Sequence, residues 1–273
     1  MRPFKGKSIL ITGAGRGIGK RLAIAFASAG AHVGLLARSK AELDLAHLEI
    51  EHAGGSSLRL RCDVRDQPQV AGAVERMAHQ FGPAQILICA HGVFGAIGPL
   101  ASADPAAWAE AVHTNLVGTM HLCRAALPEM VARRWGKVVL LTGPGAEGPR
   151  PNFSAYSACQ AALVRFAETL AEEVRDSNVQ INCMNPGATY TSLTDDILRA
   201  QELAGWKEVQ DASHIRTNGG TPPEKQVQLT QFLCSERSNH ISGKLIGVSD
   251  DWKKLEHHNA HAEMYTLRRL QRV

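Results

Sequence analysis

No apolar run in this sequence approaches the ~20 residues that a membrane helix needs. The longest, Ile86–Ala90 and Val138–Leu141, have the length of strands. A secretion signal is not expected either: basic Met1–Lys7 is followed by only Ile9–Leu10–Ile11 before Thr12–Gly13 ends the run. There is no CxxC pair, and the six cysteines (Cys62, Cys89, Cys123, Cys159, Cys183 and Cys234) lie far apart. That pattern argues for reduced core thiols and a cytoplasmic location, with no metal site expected. The charge surplus is small, 30 Lys+Arg against 26 Asp+Glu for a net +4, which argues against a dedicated nucleic-acid binder. Fixed-period repeats, low-complexity tracts and Pro/Gly/Ser-rich linkers are missing too. With 44% apolar and 21% charged residues, the 273-residue chain reads as one globular domain rather than a disordered polymer.

What is present is an alternation. Strand-like runs at Ser8–Thr12, His32–Ala37, Ser57–Cys62, Gln85–Cys89, Lys137–Thr142, Val179–Met184 and Leu245–Val248 are separated by helical patterns. The helices are expected over Gly17–Ala29, Lys40–Ala53, Gln67–Gln80, Pro105–Arg134, Ala155–Asp176 and Pro222–Cys234. Several strand runs are apolar on consecutive residues, as in strands covered on both faces. The fold class is therefore α/β: a single-domain, Rossmann-type, doubly wound parallel sheet of about seven strands with helices on both faces. Residues 1–249 form the expected domain. Within it, the polar, turn-rich segment 192–221 is expected to serve as a lid, and 250–273 is a C-terminal extension.

The first strand runs into Thr12–Gly13–Ala14–Gly15–Arg16–Gly17–Ile18–Gly19, and a helical pattern follows at once. Glycines there let backbone approach a pyrophosphate, and the helix N-terminus supplies free N–H groups. At the end of the second strand, Leu36–Ala37–Arg38–Ser39 has a neutral residue and then a base where an NAD ribose would call for an acid. Arg16 and Arg38 are expected to converge on a 2′-phosphate, which makes NADP(H) the expected cofactor.

With these features and four more, the chain resembles the short-chain dehydrogenase/reductase family over roughly Lys5–Val248. The four are Asp63–Val64 after the third strand, Asn115 placed 41 residues before Tyr156, the Ser154–Ala158 segment around that tyrosine, and Pro186–Gly187–Ala188–Thr189–Tyr190–Thr191. The resemblance implies nucleotide contacts from Thr12, Gly13, Gly15, Arg16, Gly17, Ile18, Gly19, Arg38 and Ser39. It implies others from Asp63, Val64, Gly92, Pro186, Gly187, Thr189 and Thr191. It implies hydride transfer between nicotinamide and a carbonyl or hydroxyl of a small molecule, with Tyr156 exchanging the proton, and a homodimer or homotetramer. The catalytic pattern departs from the family's. Gln160 stands where a lysine is usual, Gly143 where a serine is usual, with Thr142 as the nearest hydroxyl, and Cys89–Ala90–His91–Gly92 replaces the usual NNAG.

Those departures have physical consequences. A glutamine amide can still hydrogen-bond ribose hydroxyls but carries no charge to stabilise a tyrosinate. Tyr156 is then expected to titrate near the free value of about 10, which favours reduction, where it acts as an acid, over oxidation. Thr142 is read either as a stand-in for the missing serine or as an ordinary strand residue. His91 is read either as an alternative proton relay or as a packing residue. The expected catalytic group is thus Tyr156, Asn115, Gln160, Thr142 and His91. Two functions stay open: an NADP(H)-dependent carbonyl reductase, and a nucleotide-binding protein of the same family without redox turnover. In the extension, Trp252, Tyr265, Leu267 and Leu270 are spaced as anchors, and Arg268, Arg269 and Arg272 are placed to dock on a neighbouring subunit.

Overall fold

In the computed structural model, which describes residues 2–258 and 263–268, seven strands form one parallel sheet in the order β3-β2-β1-β4-β5-β6-β7. They are β1 Ser8–Thr12, β2 His32–Ala37, β3 Ser56–Arg61, β4 Ile86–Cys89, β5 Gly136–Leu141, β6 Val179–Asn185 and β7 Leu245–Gly247. The two-residue period of a strand explains the consecutive apolar runs. On β1, Ile9 and Ile11 face one core while Leu10 faces the other; on β4, Ile86 and Ile88 are opposed by Leu87 and Cys89 in the same way. Both faces are covered by helices, so every residue of β1 is buried.

The helices on the first half are α1 Gly17–Ser28, α2 Lys40–His52 and α3 Gln67–Phe81. Their starts follow capping chemistry: the Ser39 hydroxyl accepts from the Glu42 N–H at 3.3 Å, and Asp66 accepts from Gln69 N–H at 3.0 Å. The single helix expected over Pro105–Arg134 is instead three pieces. Helix α4 (Pro105–Val112) is joined to α5 (Gly118–Ala132) by one π turn at His113–Val117. A π turn carries one more residue than the helical ladder allows, and such turns concentrate at functional sites. Here it contains Asn115. Helix α6 spans Ser154–Glu173 and α9 spans Pro223–Leu233.

The lid is also more ordered than its polar composition suggested. It holds two helices, α7 Ser192–Ala200 and α8 Trp206–Asn218. Thr191 and Thr194 form a reciprocal capping box at the start of α7, and Gly219, at φ +78°, ends α8 in the left-handed region.

The extension was expected to reach a neighbouring subunit, but its described part docks on its own domain. Trp252 packs against Phe232 with ring centroids 5.2 Å apart. The Leu245 N–H donates to Tyr265 O at 2.7 Å, and Arg268 pairs with Glu168 at 2.8 Å. Arg269, Leu270 and Arg272 lie outside the described residues. All six cysteines are buried and free, and no helix among the described residues is long and apolar enough to cross a membrane.

Candidate active site

Strand order reverses beside β1, where the chain steps from β3 back across to β4. Crossovers leave that point on opposite faces, so a crevice opens above the carboxyl ends of β1 and β4. The cleft there measures about 330 Å³. Its first wall is the glycine turn. Gly13 has φ +62°, and a Cβ on it would lie 2.8 Å from Ala90 O; a Cβ on Gly19 would collide with Gly13 O. Only glycine permits this close passage of two backbones. Gly15, Arg16, Gly17 and Ile18 line the same wall, and Arg38, Ser39, Asp63 and Val64 line the far end.

Charges at that end include a pairing the sequence did not suggest. Arg16 and Arg38 both line the cleft, and Arg16 also pairs with Glu42 of α2 at 3.2 Å. The exposed Arg38 guanidinium makes no ion pair among the described residues, and Arg61 lines the adjoining hollow with it. Asp63 is held by Arg65 at 2.6 Å, and this hydrogen-bonded guanidinium keeps its carboxyl below the usual range.

Toward the centre of the cleft, His91 is tied at both ring nitrogens. Thr12 Oγ1 accepts from the Ala90 N–H at 3.1 Å and lies 2.6 Å from His91 Nδ1, so its own proton goes to that nitrogen. Nε2 then carries the hydrogen and donates to Thr114 O at 3.1 Å. Burial pushes the imidazole down to about 4, so it is neutral at physiological pH. The expected relay role has no free nitrogen to use. Asn115 is equally committed: its Oδ1 accepts from Val93 N–H at 2.9 Å and its Nδ2 donates to Val93 O at 2.8 Å. Together they stitch the end of β4 to the π turn.

Tyr156 enters from the first turn of α6, only 7% exposed, with Phe94 edge-on at 4.8 Å. Its side chain lines the cleft, and its hydroxyl makes no hydrogen bond among the described residues. Burial, with no lysine beside it, lifts the phenol to about 12, not the value near 10 expected from sequence. A Cβ at Gly143 would lie 2.6 Å from Tyr156 Oη. The tyrosine therefore takes the room a serine side chain would need. Thr142 Oγ1 and Gln160 Oε1 are buried at the same cleft without partners. Buried polar atoms are usually satisfied, so such orphans point to a missing ligand.

Of the nucleotide contacts expected beyond the turn, Gly92, Pro186 and Thr191 line the cleft. Gly187 and Thr189 do not, nor do Thr12 of the turn itself and the expected catalytic residue Asn115. Thr12 acts through His91, and Thr189 turns its hydroxyl to Gln226 of α9. Sequence reading missed Glu42 and Val93 on the cleft wall, and Arg150 behind Tyr156. Glu42, three residues beyond Ser39, carried a signal in its first-turn position on α2. Arg150 carried none, because its partner lies 58 residues away.

Comparison with known proteins agrees with this geometry. The profile of the family described as short chain dehydrogenase matches residues 7–202. Dehydrogenase/reductase SDR family member 4 of Sus scrofa is 28% identical over 247 residues, which cover 90% of this chain and 87% of that protein. The crystal structure of an NAD⁺-bound xylitol dehydrogenase superposes with a TM-score of 0.81 at 25% identity, covering 89% of this chain and 98% of that one. A gluconate 5-dehydrogenase from Burkholderia cenocepacia, solved with NADP and tartrate, shares the fold with a TM-score of 0.79 at 24% identity, covering 90% and 94%.

Proposed function

This chain belongs to the short-chain dehydrogenase family, a family of oxidoreductases built around a nicotinamide dinucleotide, and from that premise we propose that it reduces a small-molecule carbonyl to an alcohol with NADPH. The observation that carries the reading is Tyr156, which lines the cleft with an unpartnered hydroxyl of pKa about 12. A proton donor needs that neutral form; a base would not.

The residues present fit the nucleotide. The backbone cradle at Gly13 and Gly19 suits a pyrophosphate, with the N-terminus of α1 behind it. The orphaned Gln160 Oε1 and Thr142 Oγ1 supply polar atoms at the other end. For NADPH over NADH, the support is neutral Ala37 followed by unpaired Arg38, with Arg61 next to it. When bound, NADPH would supply the hydride for the carbonyl carbon. Tyr156 Oη gives its proton to the carbonyl oxygen and recovers one from solvent. Thr142 hydrogen-bonds the same oxygen, Gln160 holds ribose hydroxyls through its amide, and His91 and Asn115 position the strand ends. A homodimer or homotetramer is the proposed assembly.

One observation favours a second reading, nucleotide binding without redox turnover. The Tyr156 hydroxyl stands where a side chain at Gly143 would go, so the usual serine has no room there, and residue 160 is Gln in place of the usual lysine. NADPH titration combined with a carbonyl panel on wild type, Tyr156→Phe and Gln160→Lys separates the two. Turnover in wild type that disappears in Tyr156→Phe supports the reductase. Tight binding with turnover only in Gln160→Lys supports the second reading. In the same titration Arg38→Ala is expected to weaken NADPH by roughly tenfold or more while leaving NADH unchanged, since a charge-assisted hydrogen bond is worth about 1.5–3 kcal/mol.

A further inference from the structure

The cleft ends at Val93, Tyr156 and Leu193. Beyond them, on the side away from the glycine turn, the volume is filled. Phe94, Phe153, Tyr156, Ile197, Ala204 and Ala212 make a small separate core under α7 and α8. Arg150 does not line the cleft, so a substrate that reaches it past Tyr156 must displace part of that core or the helix above it.

One cation stands in this core. The Arg150 guanidinium lies 4.1 Å from the ring centroid of Phe153, 5.1 Å from Phe94 and 5.8 Å from Tyr156. Its side chain is 10% exposed, and it is bound bidentately by Glu208 of α8, Nε to Oε1 at 2.8 Å and Nη2 to Oε2 at 2.6 Å. The two partners are held very differently. Three aromatic faces keep the guanidinium in place whether or not a carboxylate is present. Glu208 is carried on α8, where Ala212 alone is buried and Val209 packs on the small core; the helix is tied before its start by Asn152 Nδ2 donating to Ala204 O at 3.3 Å and after its end by the antiparallel Thr189–Gly220 bridge. The cation beside the proton donor thus has three rings as well as the acid to hold it, whereas the Glu208 carboxylate, 26% exposed, has only Arg150 as a partner among the described residues.

We propose that Arg150 receives a carboxylate of the substrate, and that Glu208 is an internal occupant displaced when α8 lifts. A buried guanidinium stripped of its acid is costly, so α8 opens readily only when another carboxylate fills the place. The substrate class that follows is an oxo acid with an apolar or aromatic body. Its carbonyl lies at Tyr156, its body packs on the three rings in the place of Ile197, Ala204 and Ala212, and its carboxylate forms the planar two-bond pairing with Arg150. The proposal rests on the reductase reading for the fate of the carbonyl, and on the geometry of Arg150 alone for the carboxylate.

Binding to the full chain with NADPH is measured by calorimetry for phenylglyoxylate, benzoylpropionate and benzoylbutyrate, each beside its methyl ester. Amide exchange of Trp206–Asn218 is followed in the same samples. At least one acid is expected to bind about tenfold or more tighter than its ester and to speed exchange in α8. Glu208→Gln should tighten the acids and leave the esters unchanged, and Arg150→Met should erase the difference. If Arg150→Met does not fold, Arg150→Lys, which keeps the charge and loses the two-bond geometry, takes its place and should weaken the acids alone. Acids and esters that bind alike in wild type and Glu208→Gln, no binding by any acid, or acid binding with α8 exchange unchanged would overturn the proposal. Acids that bind but are never reduced would instead refute the reductase reading and leave the Arg150 site standing.

Discussion

At position 160 an amide stands where a cation would lower the phenol beside it, and the effect on Tyr156 sets the direction of the chemistry. Burial carries the hydroxyl up to about 12 even though the nearby Arg150 charge pulls it down, so the tyrosinate needed for oxidation is scarce at every physiological pH. Reduction should be flat from pH 6 to 10, while oxidation should climb about tenfold per pH unit across the same range. Gln160→Lys should move the oxidative limb to lower pH. Initial rates in both directions against pH check this, and an oxidation plateau near neutrality in wild type would contradict it. His91 gives a second residue-scale expectation. Its folded pKa of about 4 lies below the free value of 6.5, so the unfolded chain takes up the proton first as pH falls. The stability tied to the neutral ring is complete above pH 6.5 and is lost between 6.5 and 4, at up to ~1.4 kcal/mol per pH unit. The stability gap between wild type and His91→Gln, measured by urea unfolding, should therefore narrow over that window.

Among the elements, α7 depends on its first turn. Thr191 accepts from the Leu193 N–H at 3.3 Å and donates its own N–H to Thr194 Oγ1 at 3.1 Å. Thr191→Ala should cost about 1 kcal/mol and loosen the lid, seen as faster proteolysis within 192–200. The strands and the glycine turn were legible in the sequence because burial on both faces writes unbroken apolar runs, and because close backbone passage at Gly13 admits no side chain. The lid helices were not. In α7 the buried residues are Thr194 and Ile197, and in α8 Ala212 alone, too few to write a period. The π turn was hidden for a different reason: His113–Val117 has ordinary helical composition, and only the pairing of Asn115 with Val93 across 22 positions reveals the extra residue. The ion pair of Arg16 was not legible, because Glu42, 26 positions away, becomes its neighbour only when α2 folds against the turn.

For the whole molecule, sheet and helices enclose every thiol. Burial raises Cys62 to about 11 and Cys234 to about 12, and also lifts Cys159 and Cys183. Because only the thiolate reacts, the folded chain should be nearly inert to alkylating reagents at pH 8, and unfolding should expose all six groups together. Labelling then becomes a clock for opening of the fold. Cys89 and Cys183 lie in the core beneath the catalytic strand ends, whereas Cys62 borders the nucleotide cleft. NADPH should thus slow modification of Cys62 more than that of the deeper pair wherever local opening outruns global unfolding, and mass spectrometry of timed quenches reads the two rates separately. Cysteines that take no part in the chemistry would in this way report, residue by residue, how tightly the cleft is closed.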